Sequence, residues 1–144
     1  MSLPIFQENG LLPAGLYAAD MSEIEERFGA RTKRRKELFE RLQHFLELAK
    51  HCGALRILVN GSFVTARSEP GDVDVVIWLD ERFLELLDNG DEAAHRLKKM
   101  FDTRIPREAF LATNELDWNE WVDFFSRVRE QPSQGKGLLE VDLI

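Results

Sequence analysis

The sequence predicts a single α/β (α+β) domain built as a mixed sheet flanked by helices, and three observations predict it. A chain of 144 residues, 44% hydrophobic and 31% charged, can bury one sizeable core without staples. Apolar runs at 55–59 and 72–79 have strand character, and they alternate with segments whose apolar residues recur every three or four positions. No repeat, low-complexity tract or long linker divides the chain. The expected domain therefore spans 1–144, with 1–20 as an extended N-terminal lead-in.

Residues 3–18 hold Pro4, Gly10, Pro13 and Gly15 and show no sustained period, so they should run extended along the body. Ser22 resembles an N-cap, with Glu23, Glu25 and Glu26 in the first turn and Gly29 as a stop. From 32 to 52, Leu38, Phe39, Leu42, Phe45, Leu46, Leu48 and Ala49 form an apolar stripe, and Gly53 closes the helix. The strand at 55–59 follows. Ser68-Glu69-Pro70-Gly71 is a turn cluster before the strand at 72–79.

Asp80 caps a helix that stops near Asn89-Gly90, and Asp91 starts another through Leu97 and Phe101. Beyond Pro106, the run 108–112 reads as a third strand. Asp117 is the expected cap of a helix carrying Trp118, Trp121, Val122, Phe124, Phe125 and Val128. The stretch 137–143 sets Leu139, Val141 and Leu143 against Glu140 and Asp142, the alternation of an edge strand.

Composition narrows the function classes. The single Cys52 cannot form an intramolecular disulfide, no apolar run is long enough to span a bilayer, and no signal peptide is visible, so the cytoplasm is the expected compartment. A formal net charge of −7 argues against indiscriminate adhesion to nucleic acid. Arg27, Arg31, Lys33, Arg34, Arg35 and Lys36 nevertheless cluster without an acid among them. Cations at a helix N-terminus oppose its dipole, so the cluster is a candidate for an anion such as a triphosphate or RNA. His44, His51 and His95 show no metal-ligand spacing, and no nucleophile elbow, Walker loop or Cys-x-x-Cys is present.

The chemical signal lies at Gly61-Ser62, followed after nine residues by Asp72-Val73-Asp74. Along a strand Asp72 and Asp74 project to one face, roughly 7 Å apart. A shared cation relieves their repulsion, and all-oxygen ligation favours Mg²⁺ or Mn²⁺. Gly61 admits close approach to the backbone, and Ser62 with the N–H groups after it could hold a phosphate.

This pattern resembles the core motif of the nucleotidyltransferase superfamily related to DNA polymerase β: hydrophobic-Gly-Ser, about ten residues, then Asp-hydrophobic-Asp. The stretch 59–77 follows it. The resemblance is closest to the small bacterial members, the minimal nucleotidyltransferases often encoded beside a helical toxin partner. Leu12-Pro13-Ala14-Gly15-Leu16, Glu26-Arg27-Phe28-Gly29 and Gly135-Lys136-Gly137-Leu138-Leu139 look like a poorly characterised bacterial family of such proteins.

The resemblance implies a palm-like mixed sheet, a metal site at Asp72 and Asp74, and Gly61 and Ser62 cradling the NTP. A third carboxylate is implied on a neighbouring strand, with Glu108 the best match by position and Asp102 the runner-up. The implied reaction moves NMP from an NTP to a hydroxyl on protein or RNA, within a toxin–antitoxin or defence pair. The alternative is a catalytically weak or inactive module of the same fold, serving as antitoxin or assembly subunit. The chain departs from the family in reading Phe63-Val64-Thr65-Ala66-Arg67-Ser68 after Gly-Ser, and it has no room for a separate base-gripping helical domain.

Overall fold

A computed structural model describes residues 3–128 and 131–143, so the outermost residues of the expected 1–144 domain and 1–20 lead-in lie outside the described residues. The elements are β1 (Gly15–Ala19), α1 (Met21–Ile24) continued by a π-helical turn (Glu25–Gly29), α2 (Lys33–His51), β2 (Arg56–Asn60), a 3₁₀ turn (Ser62–Val64) and β3 (Asp74–Trp78). After these come α3 (Glu81–Asp88), α4 (Glu92–Asp102), β4 (Ala109–Ala112), α5 (Glu115–Phe125), β5 (Arg127–Val128), β6 (Gln131–Gly135) and β7 (Gly137–Val141). The result is a small mixed α+β domain around an open five-stranded sheet of order β1-β7-β2-β3-β4. β1 runs parallel to β7 and β3 parallel to β4, whereas β2 is antiparallel to both its neighbours.

Period-two alternation divides the sheet between two cores. Ile57, Val59, Val75, Ile77, Leu139 and Val141 join the α2 stripe of Leu38, Leu42, Phe45 and Ala49 in the larger one. Leu58, Val76, Phe110, Ala112 and Leu138 face the other way and are covered by Trp118 and Phe125 of α5. α2 forms where its spacing predicts, with the Thr32 hydroxyl accepting from the Arg35 N–H and Gly53 at φ 78° just past its end.

Several sequence expectations are corrected. The first helix is capped by Asp20, not Ser22: Asp20 accepts from the Glu23 N–H, and Glu23 reaches back to the Asp20 N–H in a capping box. α5 is capped by Asn114, which accepts from the Asp117 N–H, while the Asp117 carboxylate turns to Thr113; the helix ends at Phe125, and Val128, expected within it, lies in β5 paired with β6. The end of the lead-in is not simply extended chain; it supplies β1. β7 is not an edge strand but lies between β1 and β2. Its Glu140 is accommodated there by a two-pronged pair with Arg56 (2.6 and 2.5 Å), whose guanidinium lies 4.5 Å over the Trp118 ring.

The basic cluster is corrected as well. Arg35 is buried and donates to the carbonyls of Phe28, Phe63, Thr65 and Arg67. Arg34 donates to the carbonyls of Pro70 and Gly71, and Arg27 to that of Pro4. These three arginines hold backbone in place; Arg31, Lys33 and Lys36 remain exposed. No described helix is long and apolar enough to cross a membrane.

Candidate functional site

The face of the sheet covered by α5 runs out of helix at one end. There Asn60, the last residue of β2, pairs in register with Asp74, the first of β3. They continue the alternation of Leu58 and Val76, so they replace apolar floor with polar floor just beyond the α5 core. A cleft of about 970 Å³ opens over them. Asn60, Gly61, Ser62, Asp72 and Asp74 form its floor, and Phe124, Phe125, Arg127 and Lys136 line it from the α5 end and the β6–β7 connection. The segment from Glu8 to Leu11 also borders it, held by the Ala66 N–H donating to the Gly10 carbonyl at 2.8 Å.

Gly61 sits at φ 96°, and a Cβ there would stand 3.0 Å from the Asp72 carbonyl oxygen and 3.1 Å from the Asp74 nitrogen. The glycine is needed for the passage of the carboxylate strand as well as for the turn. Ser62 is the hub of that passage. Its Oγ donates to Asp72 Oδ1 at 2.6 Å and accepts from the N–H groups of Gly71 and Asp72, while its own N–H also reaches Asp72 Oδ1. The Phe63 N–H goes to the Asp72 carbonyl and the Val64 N–H to that of Gly61. The expected phosphate cradle is thus already filled by an anion of the chain itself, the Asp72 carboxylate. The cationic side chains that line the same cleft are Arg67, Lys136 and Arg127, the last paired with Asp123.

The two aspartates behave differently. Burial works against the charge of Asp72, but hydrogen bonds from the Ser62 hydroxyl and N–H and from Asp74 outweigh it and hold its carboxyl below the usual range. Burial, then the charges of Asp72 and Glu108, push Asp74 up to about 7, against partial relief from Lys136. The two carboxyls share a hydrogen bond, so they are close neighbours. Such a pair is short of positive charge, and Mg²⁺ sites commonly rest on one or two carboxylates, with phosphate oxygens and water completing the shell. The residues present fit a cation of that kind.

Glu108 lies next to this pair without lining the cleft. Its carboxylate accepts from Arg41 Nη1 of α2 at 2.6 Å and is largely buried. Among the described residues no three carboxylate, imidazole or thiol groups form a ready metal cage. Asp102 is elsewhere: it pairs with Lys98 on α4 and borders a separate, smaller cavity of about 300 Å³ beside α3. The thiol of Cys52 is buried and pushed up to about 11 by burial and by Asp91, so it offers no thiolate near neutrality. Of the α5 aromatics, Trp118 is core at 1% exposure, Trp121 donates to the Leu111 carbonyl, and Phe124 is 60% exposed at the cleft.

Residues 4–142 match the model of a family described as a family of unknown function, DUF6932. The chain belongs to this family. No curated protein and no solved structure matches the chain. In this DUF6932 chain, sequence reasoning had found Asp72, Asp74, Gly61 and Ser62 but missed Asn60 and Lys136 as cleft residues. Lys136 lies in a Gly-Lys-Gly turn with no local signal of its destination; the pairing of β7 with β2 carries it to the site. Asn60 was legible only as a polar residue ending an apolar strand.

Proposed function

We propose that this chain is a metal-dependent nucleotidyltransferase of the DNA polymerase β-like kind, with its mixed sheet serving as the palm. What carries this reading is the pair of neighbouring carboxylates, Asp72 and Asp74, opening a strand beside the Gly61-Ser62 turn on the floor of a cleft of nucleotide size. In it, Asp72 and Asp74 would hold Mg²⁺ or Mn²⁺. The bound ion would supply charge neutralisation at the reacting phosphate. Ser62 fixes the direction of Asp72, Lys136 and Arg67 face the phosphate tail, and exposed Phe124 offers an aromatic surface to the base. Glu108, paired here with Arg41, would be the third carboxylate. The acceptor is a hydroxyl on protein or RNA, and a helical toxin-like protein is the partner in keeping with the resemblance. The NTP supply puts the reaction in the cytoplasm.

A second reading has a specific observation behind it. Glu108 is tied to Arg41 and Lys136 faces the aspartate pair, an arrangement suited to a fold that binds a partner without turnover. Incubation with each α-labelled NTP, Mg²⁺ and candidate acceptors separates the two. Transfer of label by the wild type, lost in Asp72→Asn/Asp74→Asn, supports the enzyme. Absence of transfer together with a tight partner complex indifferent to that double change supports the binding module.

A further inference from the structure

The residue on the cleft floor that the proposed reaction leaves without a role is Asn60. It is 3% exposed, and the little surface it keeps opens on the cleft. Among the described residues its carboxamide makes no hydrogen bond, although every neighbouring polar group in the turn is paired. Its polar atoms are not sealed in, since Arg107 Nε alone among the described side-chain atoms is both fully buried and unpartnered, so the amide stands open to a ligand from the cleft. Its place narrows which one. Asn60 is directly opposite Asp74 across the β2–β3 pair, so the side chains share a face with Cβ atoms about 5 Å apart. The pairing places Asn60 beside whatever Asp74 binds on that floor.

Glu108, the expected third oxygen donor, is paired with Arg41 and is not among the residues lining the cleft, whereas Asn60 lines it. An uncharged amide oxygen is an accepted ligand for hard divalent cations and adds no further repulsion to a crowded pair of carboxylates. We propose that the Asn60 carboxamide is a metal-binding group of this cleft, its Oδ1 joining Asp72 and Asp74 around a divalent cation. This rests on the reading of the cleft as a metal-dependent nucleotide site and assigns it a donor outside the carboxylate set.

Mn²⁺ binding, followed by the loss of the free-ion paramagnetic resonance signal as protein is added, tests it without any turnover. Wild type, Asp72→Asn/Asp74→Asn, Asn60→Leu and Asn60→Asp are compared, each with its thermal midpoint. Asn60→Leu should weaken Mn²⁺ about tenfold or more without lowering the midpoint, since the amide holds no partner within the protein. Asn60→Asp, of the same shape and keeping the oxygen, should bind at least as tightly as wild type. Wild-type affinity in Asn60→Leu, or equal losses in Asn60→Leu and Asn60→Asp, would overturn the assignment while leaving the carboxylate site standing. No Mn²⁺ binding by the wild type would remove both the assignment and the reading beneath it.

Discussion

At the scale of single residues, Asp74 sets how the cleft responds to pH. Its folded value of about 7 stands against an ordinary 3.8, so the native state binds this proton more tightly than the unfolded chain. The contribution is therefore fully present below about pH 4 and is lost as pH rises through 7. Asp72, held below its ordinary value, has the opposite sign and favours the fold above that value. Asp74→Asn should raise the thermal midpoint relative to wild type at pH 8 and lose that advantage at pH 4. A divalent cation should stabilise the wild type more at pH 8, where it does not compete with the proton. An unchanged difference between the two proteins across this range would count against a strained carboxylate pair.

Arg35 belongs to the same scale. One buried guanidinium gathers four backbone carbonyls from two segments, and planar, forked donors cannot be replaced by a lysine ammonium. Arg35→Ala should cost about 3 kcal/mol or more in denaturant unfolding, with Arg35→Lys recovering only a minor part. A loss near zero would mean the carbonyls find water.

Among the elements, legibility follows how local the cause is. α2 could be read because its stripe, its Thr32 cap and its Gly53 stop all lie within the segment. The Asp80 and Asp91 caps were readable for the same reason. β1 was not, because Gly-Leu-Tyr-Ala-Ala becomes a strand only by pairing with β7 from the far end of the chain. β7 was read as an edge because Glu140 looked solvent-facing, and no local pattern shows that Arg56 will meet it. At the site, the alternation of Asp72 and Asp74 was local and visible. The diversion of Glu108 to Arg41 depends on how α2 packs and was hidden.

The α5 cap gives this scale its own test. Asn114→Ala should destabilise by about 1 kcal/mol, because it removes the acceptor for the Asp117 N–H. Urea unfolding of Asn114→Ala beside wild type would show it, and an unchanged midpoint would contradict the corrected cap. Gly61→Ala is expected to cost more than 1 kcal/mol, roughly, since a side chain at φ 96° is strained and its Cβ meets the backbone of 72–74.

For the whole molecule, the sheet does two jobs with one alternation. Where α5 covers a face, odd-and-even patterning buries Leu58, Val76 and Phe110; where α5 ends, the same positions carry Asn60 and Asp74. The cleft is thus a place where the core pattern continues with polar residues, walled by the aromatic end of the helix that seals the core. The N-terminal segment, the β6–β7 connection and the Gly61–Asp72 loop meet there from distant parts of the sequence. Such convergence is what the proposed metal-dependent nucleotide site needs, its carboxylates suiting a ligand that comes with a cation.

The most direct test of that claim is calorimetric titration of ATP, CTP, GTP and UTP into the protein with and without Mg²⁺, repeated with Asp72→Asn/Asp74→Asn. At least one nucleotide should bind only when Mg²⁺ is present, and the double variant should abolish that binding while remaining folded. Mg²⁺-independent binding, equal binding by the double variant, or no nucleotide binding at all would contradict a metal-dependent nucleotide site in this cleft.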